Sequence, residues 1–487
     1  MPRKQMYAQI VTSSLTVGLG GSAGLESPIT ITGAAFGSNF AQRYRLSQKD
    51  RILLLACGVA AGIGAAFNAP IAGVLFAIEV VLTDVTITAF IPIMISAATG
   101  ALVSGIILDD EVLLSFPGTH LFQYENIPYY IILGLLTGLA SVYHARNFQK
   151  VERFFSRIKN KSYRRALFGA MILAVMIFFF PTLFGEGYES IKTLATANPE
   201  ILLDNTLLEG FRDNPWVLLV FVGATALLKA FATGLTLGSG GNGGNFAPSL
   251  FVGSYIGFFV ARAVNLTGFT HQLPVANFTI VGMAGILSGL FHAPLTAIFL
   301  IGEITGGYGL MVPLMIVSSI SFAVSRQFER YSMDVKPLAD KGHVFTSDKD
   351  RNILSNIDLL TLVDRTYSAL NRSGKVEDAV AIFSATKQNT IPVIDERNNL
   401  VGIVDLDLVR PVIFNQYRVR FMALEEIISR PQDVISTEDG IDNVLEKFEG
   451  AGASLLPVTN NGKYYGFLSK QSVLEAYRSG LRGMVIE

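Results

Sequence analysis

Cysteine is nearly missing from this sequence. Cys57 stands alone in 487 residues, which excludes an intrachain disulfide and any cysteine-rich metal site. It lies in an apolar run and reads as a buried, inert thiol. Charge is scarce as well: Asp, Glu, Lys and Arg make up 16% of the chain, against roughly 25% in soluble domains. With half of the residues hydrophobic, that deficit points to a protein in lipid. No basic stripe accompanies the net charge of −1, so nucleic acid is not an expected partner. No nucleophile–base constellation and no metal-ligand spacing occurs, so neither an enzyme nor a metal site is expected. The start, Met1-Pro2-Arg3-Lys4-Gln5-Met6, has no apolar core behind it and does not read as a signal peptide.

The charges that exist are unevenly placed. From Arg51 to Ala323 they are sparse, and from Asp340 onward the chain reads as soluble. A helical, multi-pass membrane part at 1–342 and a soluble part at 343–487 are therefore expected. Candidate membrane segments are 52–83, 86–107, 129–145, 166–184, 215–233, 246–264, 277–303 and 308–324. Several fall short of the about 20 apolar residues of a plain crossing. Two are broken, at Asn68-Ala69-Pro70 and at His292-Ala293-Pro294. Such breaks are tolerated at membrane depth only where the freed backbone faces protein or a water-filled cavity. The stretch Arg146 to Arg165 is dense in Lys and Arg, including Lys150, Arg153, Lys159 and Lys161. By the positive-inside rule it belongs to the cytoplasm, and the soluble tail with it.

The most informative pattern is an internal repeat. Gly20-Gly21-Ser22-Ala23-Gly24-Leu25-Glu26-Ser27-Pro28 is followed by Gly33 and Gly37; Gly238-Ser239-Gly240-Gly241-Asn242-Gly243-Gly244-Asn245-Phe246-Ala247-Pro248 is followed by Gly253 and Gly257. Downstream, Phe67-Asn68-Ala69-Pro70 with Glu79 is echoed by Phe291-His292-Ala293-Pro294 with Glu303. Pro28 and Pro248 stand 220 residues apart, and Pro70 and Pro294 stand 224 apart. Two elements repeated in order at nearly one offset imply two related halves, with a site where they meet.

A glycine-rich loop entering a helix leaves unpaired N–H groups at the helix start, and these favour an anion. Proline in the first turn costs nothing there. Neither loop carries Lys or Arg, which suits an ion that must leave again. The alternative use of such glycines is close helix packing. Glu26 is the one carboxylate in the first loop. Its side chain can occupy the anion position and vacate it on protonation, gating the path or carrying protons; a plain helix cap is the alternative. Glu79 and Glu303 read as structural.

These residues resemble a known family. Gly24-Leu25-Glu26-Ser27-Pro28 resembles the G-(R/K)-E-G-P signature of CLC chloride channels and chloride–proton antiporters, and Gly244-Asn245-Phe246-Ala247-Pro248 resembles their G-x-F-x-P signature. The resemblance implies a homodimer with an anion pathway in each subunit. It puts Glu26 at the gating glutamate. The anion site then falls to Gly24, Leu25, Glu26, Ser27, Gly244, Asn245, Phe246 and Ala247. Four departures stand out. The family's upstream helices, one with a site-lining serine, have no counterpart before Gly18, so N-terminal helices are expected to be missing. Val80 stands where exchangers often carry an internal proton glutamate. The family's central tyrosine position, four residues before Leu338-Ala339, holds Asp334, and Tyr331 substitutes only if the helix is shifted. Leu25 and Ser27 replace a basic residue and a glycine.

The tail repeats a helix, an x-Pro-Val strand and a Gly-φ-φ strand, around Pro392 and Gly402 and again around Pro457 and Gly466. This resembles a tandem CBS pair, at approximately 353–415 and 420–482. Such pairs often bind adenine nucleotides. Here Asp405 and Leu408 in one copy, and Ser469 and Ser472 in the other, do not keep the ribose-binding Asp. Dimerisation or coupling to the membrane part is thus the expected role. Three functions follow: voltage- or pH-gated chloride–proton exchange in a bacterial inner membrane, a passive chloride channel, or a nucleotide-sensing membrane protein that no longer conducts.

Overall fold

The computed structural model describes residues 1–82, 87–108, 122–158, 162–195, 198–268, 272–306, 308–339, 354 and 357–486. The expected boundary at 342/343 and the basic residues Lys159 and Lys161 lie outside them. The chain divides into two compact units, Met1–Val344 and Phe345–Glu487.

The first unit is helical among the described residues. Its first half runs α1 (Gln5–Gly18), α2 (Glu26–Arg43), α3 (Gln48–Phe67), α4 (Pro70–Phe76) with a π turn at Ala77–Val81, and α5 (Ile87–Leu108). A middle group follows: α6 (Ile127–Ser156), α7 (Ser162–Phe179) and α8 (Tyr188–Leu194). The second half is α9 (Pro215–Ser239), α10 (Phe246–Thr267), α11 (Val275–Phe291), α12 (Pro294–Ile304) and α13 (Met311–Phe328). Among the described residues six helices are long and apolar enough to cross a membrane. Helix α6 continues to Ser156, so Arg146, Lys150 and Arg153 ride on a helix end and not in a loop.

The halves are built alike. Helix α2 packs on α3 and α3 on α4 and α5, as α10 packs on α11 and α11 on α12 and α13. Glycines make the tightest crossings: Gly33 and Gly58 each face the other's backbone carbonyl, as do Gly253 and Gly282. The breaks match in backbone conformation too. Asn68 and His292 both turn left-handed, at φ 50° and 56°, and Ala69 and Ala293 follow at φ −127° and −124°. The next proline then starts a helix at fixed φ. Each new helix start needs partners for its N–H groups, and each half supplies the other's. Glu303 accepts from Ile71 N (3.0 Å) and Ala72 N (2.8 Å). Glu79 accepts from Leu295 N (3.1 Å) and Thr296 N (2.7 Å). Such reciprocal exchange is the mark of a two-fold relation.

Among the described residues the second unit holds two three-stranded sheets. In the first, β1 (Leu370–Asn371) lies parallel to β2 (Thr390–Ile394), and β3 (Leu400–Asp405) is antiparallel to β2; β4 (Ile435–Ser436), β5 (Leu455–Asn460) and β6 (Lys463–Ser469) repeat the arrangement. Ile403 of β3 exchanges two backbone bonds of 2.9 Å with Ser429, and Phe467 of β6 does the same with Asp364 at 2.8 and 2.9 Å. The glycines Gly402 and Gly466, one residue earlier, let those segments approach, since a Cβ there would overlap backbone at 2.7 and 2.6 Å.

Candidate functional site

The two glycine-rich loops meet. Gly24 and Gly244 form an isolated antiparallel bridge, with N–H to O distances of 2.9 and 2.8 Å. Each loop turns back on the helix before it: Gly21 N donates to Thr16 O (2.8 Å) and Gly241 N to Thr236 O (2.9 Å). Positive φ at Gly20 (98°) and Gly240 (122°) permits those turns. The threonine hydroxyls then reach across: Thr236 Oγ1 accepts from Ser22 N, and Thr16 Oγ1 from Asn242 N, both at 3.0 Å. The starts of α2 and α10 are thereby brought to one place, which is what an anion site built from N–H groups requires.

Glu26 is the first residue of α2 and is 1% exposed. Its carboxylate lies beside the backbone N–H groups of Glu26 itself and of Ala247, and accepts a hydrogen bond from the Tyr188 hydroxyl. Its Oε2 has no hydrogen-bond partner among the described residues. A carboxylate therefore stands where the two helix starts converge. Ser27 packs so closely on Gly244 that a side chain at 244 has no room. Leu25 and Asn245 are the residues just before α2 and α10. The Asn245 side chain is held on both sides, by His144 Nε2 at Oδ1 (2.9 Å) and Met333 Sδ at Nδ2 (2.9 Å). Phe246, 2% exposed, sits among Phe67, Phe76 and Phe291 with ring centroids 5.7, 6.0 and 5.6 Å away.

Two cavities approach this point. One, of about 500 Å³, is lined by Glu26, Ser27, Gly244, Asn245 and Phe246, and also by Val80, Glu152, Met333 and Asp334. The other, of about 610 Å³, is lined by Glu186, Tyr188, Glu189 and Lys192 among others. Glu26 borders the first and touches Tyr188 of the second. Asp334 is exposed to the first cavity. Tyr331 does not enter it; that side chain lines a separate cleft with His292 and Glu329, so no shifted helix brings it in. Met333, anchored by its N–H to Leu290 O (3.1 Å), stands against Asn245.

Sequence reasoning missed Tyr188, Lys229, Glu186, His144 and Met333. Lys229 carried a signal: it is the one charged residue of α9, and an ionisable group in an apolar span is a functional candidate. Tyr188 carried none, because a tyrosine after Gly187 in a turn says nothing of which carboxylate it reaches.

Residues 1–326 match the voltage gated chloride channel family, and residues 365–410 and 424–479 match the CBS domain. The chain belongs to the voltage-gated chloride channel family. Members of this family are channels and transporters, not enzymes. The chain is similar to the voltage-gated ClC-type chloride channel ClcB of Escherichia coli (strain SMS-3-5 / SECEC), at 31% identity over 324 residues, covering 66% of this chain and 73% of that one. It also resembles the crystal structure of a slow cyanobacterial Cl−/H+ antiporter (TM-score 0.58, 23% identity, 69% of this chain and 76% of that one). A CLC-type fluoride/proton antiporter is a further structural relative (TM-score 0.54, 25% identity, 67% of this chain and 75% of that one). The chain is therefore an integral membrane protein of the CLC fold with C-terminal CBS domains.

Proposed function

We propose that this protein exchanges chloride or a related anion for protons, with Glu26 as the gate. The observation that carries the reading is the seat of the Glu26 carboxylate, at the convergence of the α2 and α10 starts and between the two cavities. There a carboxylate and an anion compete for the same N–H groups. Protonation removes the charge that holds the side chain, and the anion takes its place. Gly24, Leu25, Ser27, Gly244, Asn245, Phe246 and Ala247 frame the exchange. Glu26→Gln tests it: flux should lose its pH dependence and its proton coupling, and a full pH response in this variant would sink the assignment.

Val80 favours a second reading, a passive chloride channel, since an apolar side chain lines the cavity where exchangers often place an internal proton acceptor. We assign the membrane part to 1–342 and the CBS pair to 343–487, the latter on the cytoplasmic side of a bacterial inner membrane. The functional form is a homodimer. For the tail we propose dimerisation or coupling in preference to adenine-nucleotide binding.

A further inference from the structure

Beside the gate lies a charged group that the anion pathway does not explain. Lys229 on α9 is fully buried. One contact of its ammonium is the Gly185 carbonyl, at 3.2 Å, and the ion stands 4.5 Å from the centre of the Phe251 ring. A buried ammonium is costly unless an anion accompanies it. Glu186, next to Gly185 and on the wall of the 610 Å³ cavity, interacts electrostatically with Lys229. Glu26 acts on Glu186 in turn, and both carboxylates act on Tyr188, whose hydroxyl donates to Glu26. Among the described residues, the other charged or titratable groups around this cluster include His144 of α6, on which Lys229 acts, and Glu189 and Lys192 of α8, which pair at 3.5 Å on the cavity wall.

We propose that Glu186 is a second protonatable carboxylate of the gate, sharing a proton with Glu26 across the Tyr188 hydroxyl, and that Lys229 sets the charge against which both titrate. Two neighbouring carboxylates do not readily ionise together, while one carboxylate balances one ammonium. The cluster thus favours one proton on the pair. A proton entering from the cavity binds Glu186. It passes by cavity water to the Tyr188 oxygen as the Tyr188 O–H proton moves to Glu26 Oε1, leaving Tyr188 neutral, Glu186 ionised and Glu26 neutral. Gate opening by pH then reports the pair and not Glu26 alone. Glu186 and Lys229 act through Glu26 and are positioning residues for the transport reaction.

The inference rests on the gating reading of Glu26, and the experiment separates the two. The full-length protein and its Glu186→Gln, Glu186→Asp, Lys229→Met and Glu26→Gln variants are placed in liposomes, and chloride flux is recorded against external pH. Removing the Glu186 charge makes Glu26 release its proton more easily, so the midpoint of pH activation should move to lower pH, by about one to three units. Removing the Lys229 charge should move it to higher pH by a similar amount, and Glu186→Asp should restore the wild-type midpoint. A fold defect lowers flux without opposite shifts. Midpoints of both charge variants that stay at the wild-type value, or move the same way, overturn the proposal. If Glu26→Gln loses its pH response while those midpoints stay, this inference alone fails; if Glu26→Gln keeps its response, the gating reading fails with it.

Discussion

Asn245 shows how one side chain can hold the backbone at a helix start in place. Its amide bridges His144 on α6 and Met333 beyond α13, so the turn before α10 is fixed from two directions. Asn245→Leu removes both contacts and leaves buried His144 with neither ring nitrogen paired, since its Nδ1 already lacks a partner among the described residues. We expect a cost of roughly 1–3 kcal/mol and an anion affinity lowered by about tenfold, measured by anion titration of the purified protein. An unchanged affinity would mean that the turn is held by the Gly24–Gly244 bridge alone. At the same scale the sequence marked Glu26 but not its partners. A glutamate among glycines is conspicuous in a chain, whereas Tyr188 reaches it across 162 positions. Likewise the motif singled out Asp334 at the family's tyrosine position without revealing that Met333, its neighbour, makes the buried contact with Asn245. That assignment depends on where the chain turns after α13, which no local pattern encodes.

Helices and strands were more legible than single contacts, because their signals are periodic or repeated. The Pro-x4-Gly-x3-Gly runs became α2 and α10, and the Asn/His-Ala-Pro breaks became matched left-handed turns. What the sequence left open was who caps whom. Glu79 and Glu303 close helices in their own halves but serve helix starts in the other half, and crossing partners leave no trace in spacing. Glu303→Gln keeps the shape of the cap but leaves one acceptor oxygen for the two donors, Ile71 N and Ala72 N, and turns an NH2 toward the other. Charged hydrogen bonds are worth about 1.5–3 kcal/mol, so this variant should lower the unfolding midpoint of the membrane unit in detergent. Glu79→Gln should cost a similar amount, and the pair together should cost about the sum if the two caps act independently. A neutral Glu303→Gln would show that the caps are dispensable. In the tail, burial works against ionisation of Asp439. Hydrogen bonds from Lys447 (2.6 Å), Ser436 N (2.8 Å) and Asn443 (2.9 Å) outweigh it and hold its carboxyl below the usual range. A depressed folded value contributes stability above the unfolded value, near 3.9, that is lost as pH falls through the folded one. Asp439→Asn should therefore speed amide exchange in residues 435–469 at neutral pH, and the difference from wild type should close as pH falls through the depressed folded value.

For the whole molecule, two related halves bring two helix starts to one point, and a carboxylate occupies it. On the proposed gating reading, that arrangement explains why the chain needs no lysine or arginine in either loop: the N–H groups supply the attraction, and the Glu26 carboxylate supplies the competition. The measurement that tests this most directly is simultaneous recording of chloride and pH outside liposomes holding the purified protein under an imposed chloride gradient, in the wild type and in Glu26→Gln. The account predicts protons driven uphill by chloride in the wild type, and pH-independent chloride flux without proton movement in the variant. Chloride flux without proton movement in the wild type, or coupled movement that survives Glu26→Gln, would contradict it.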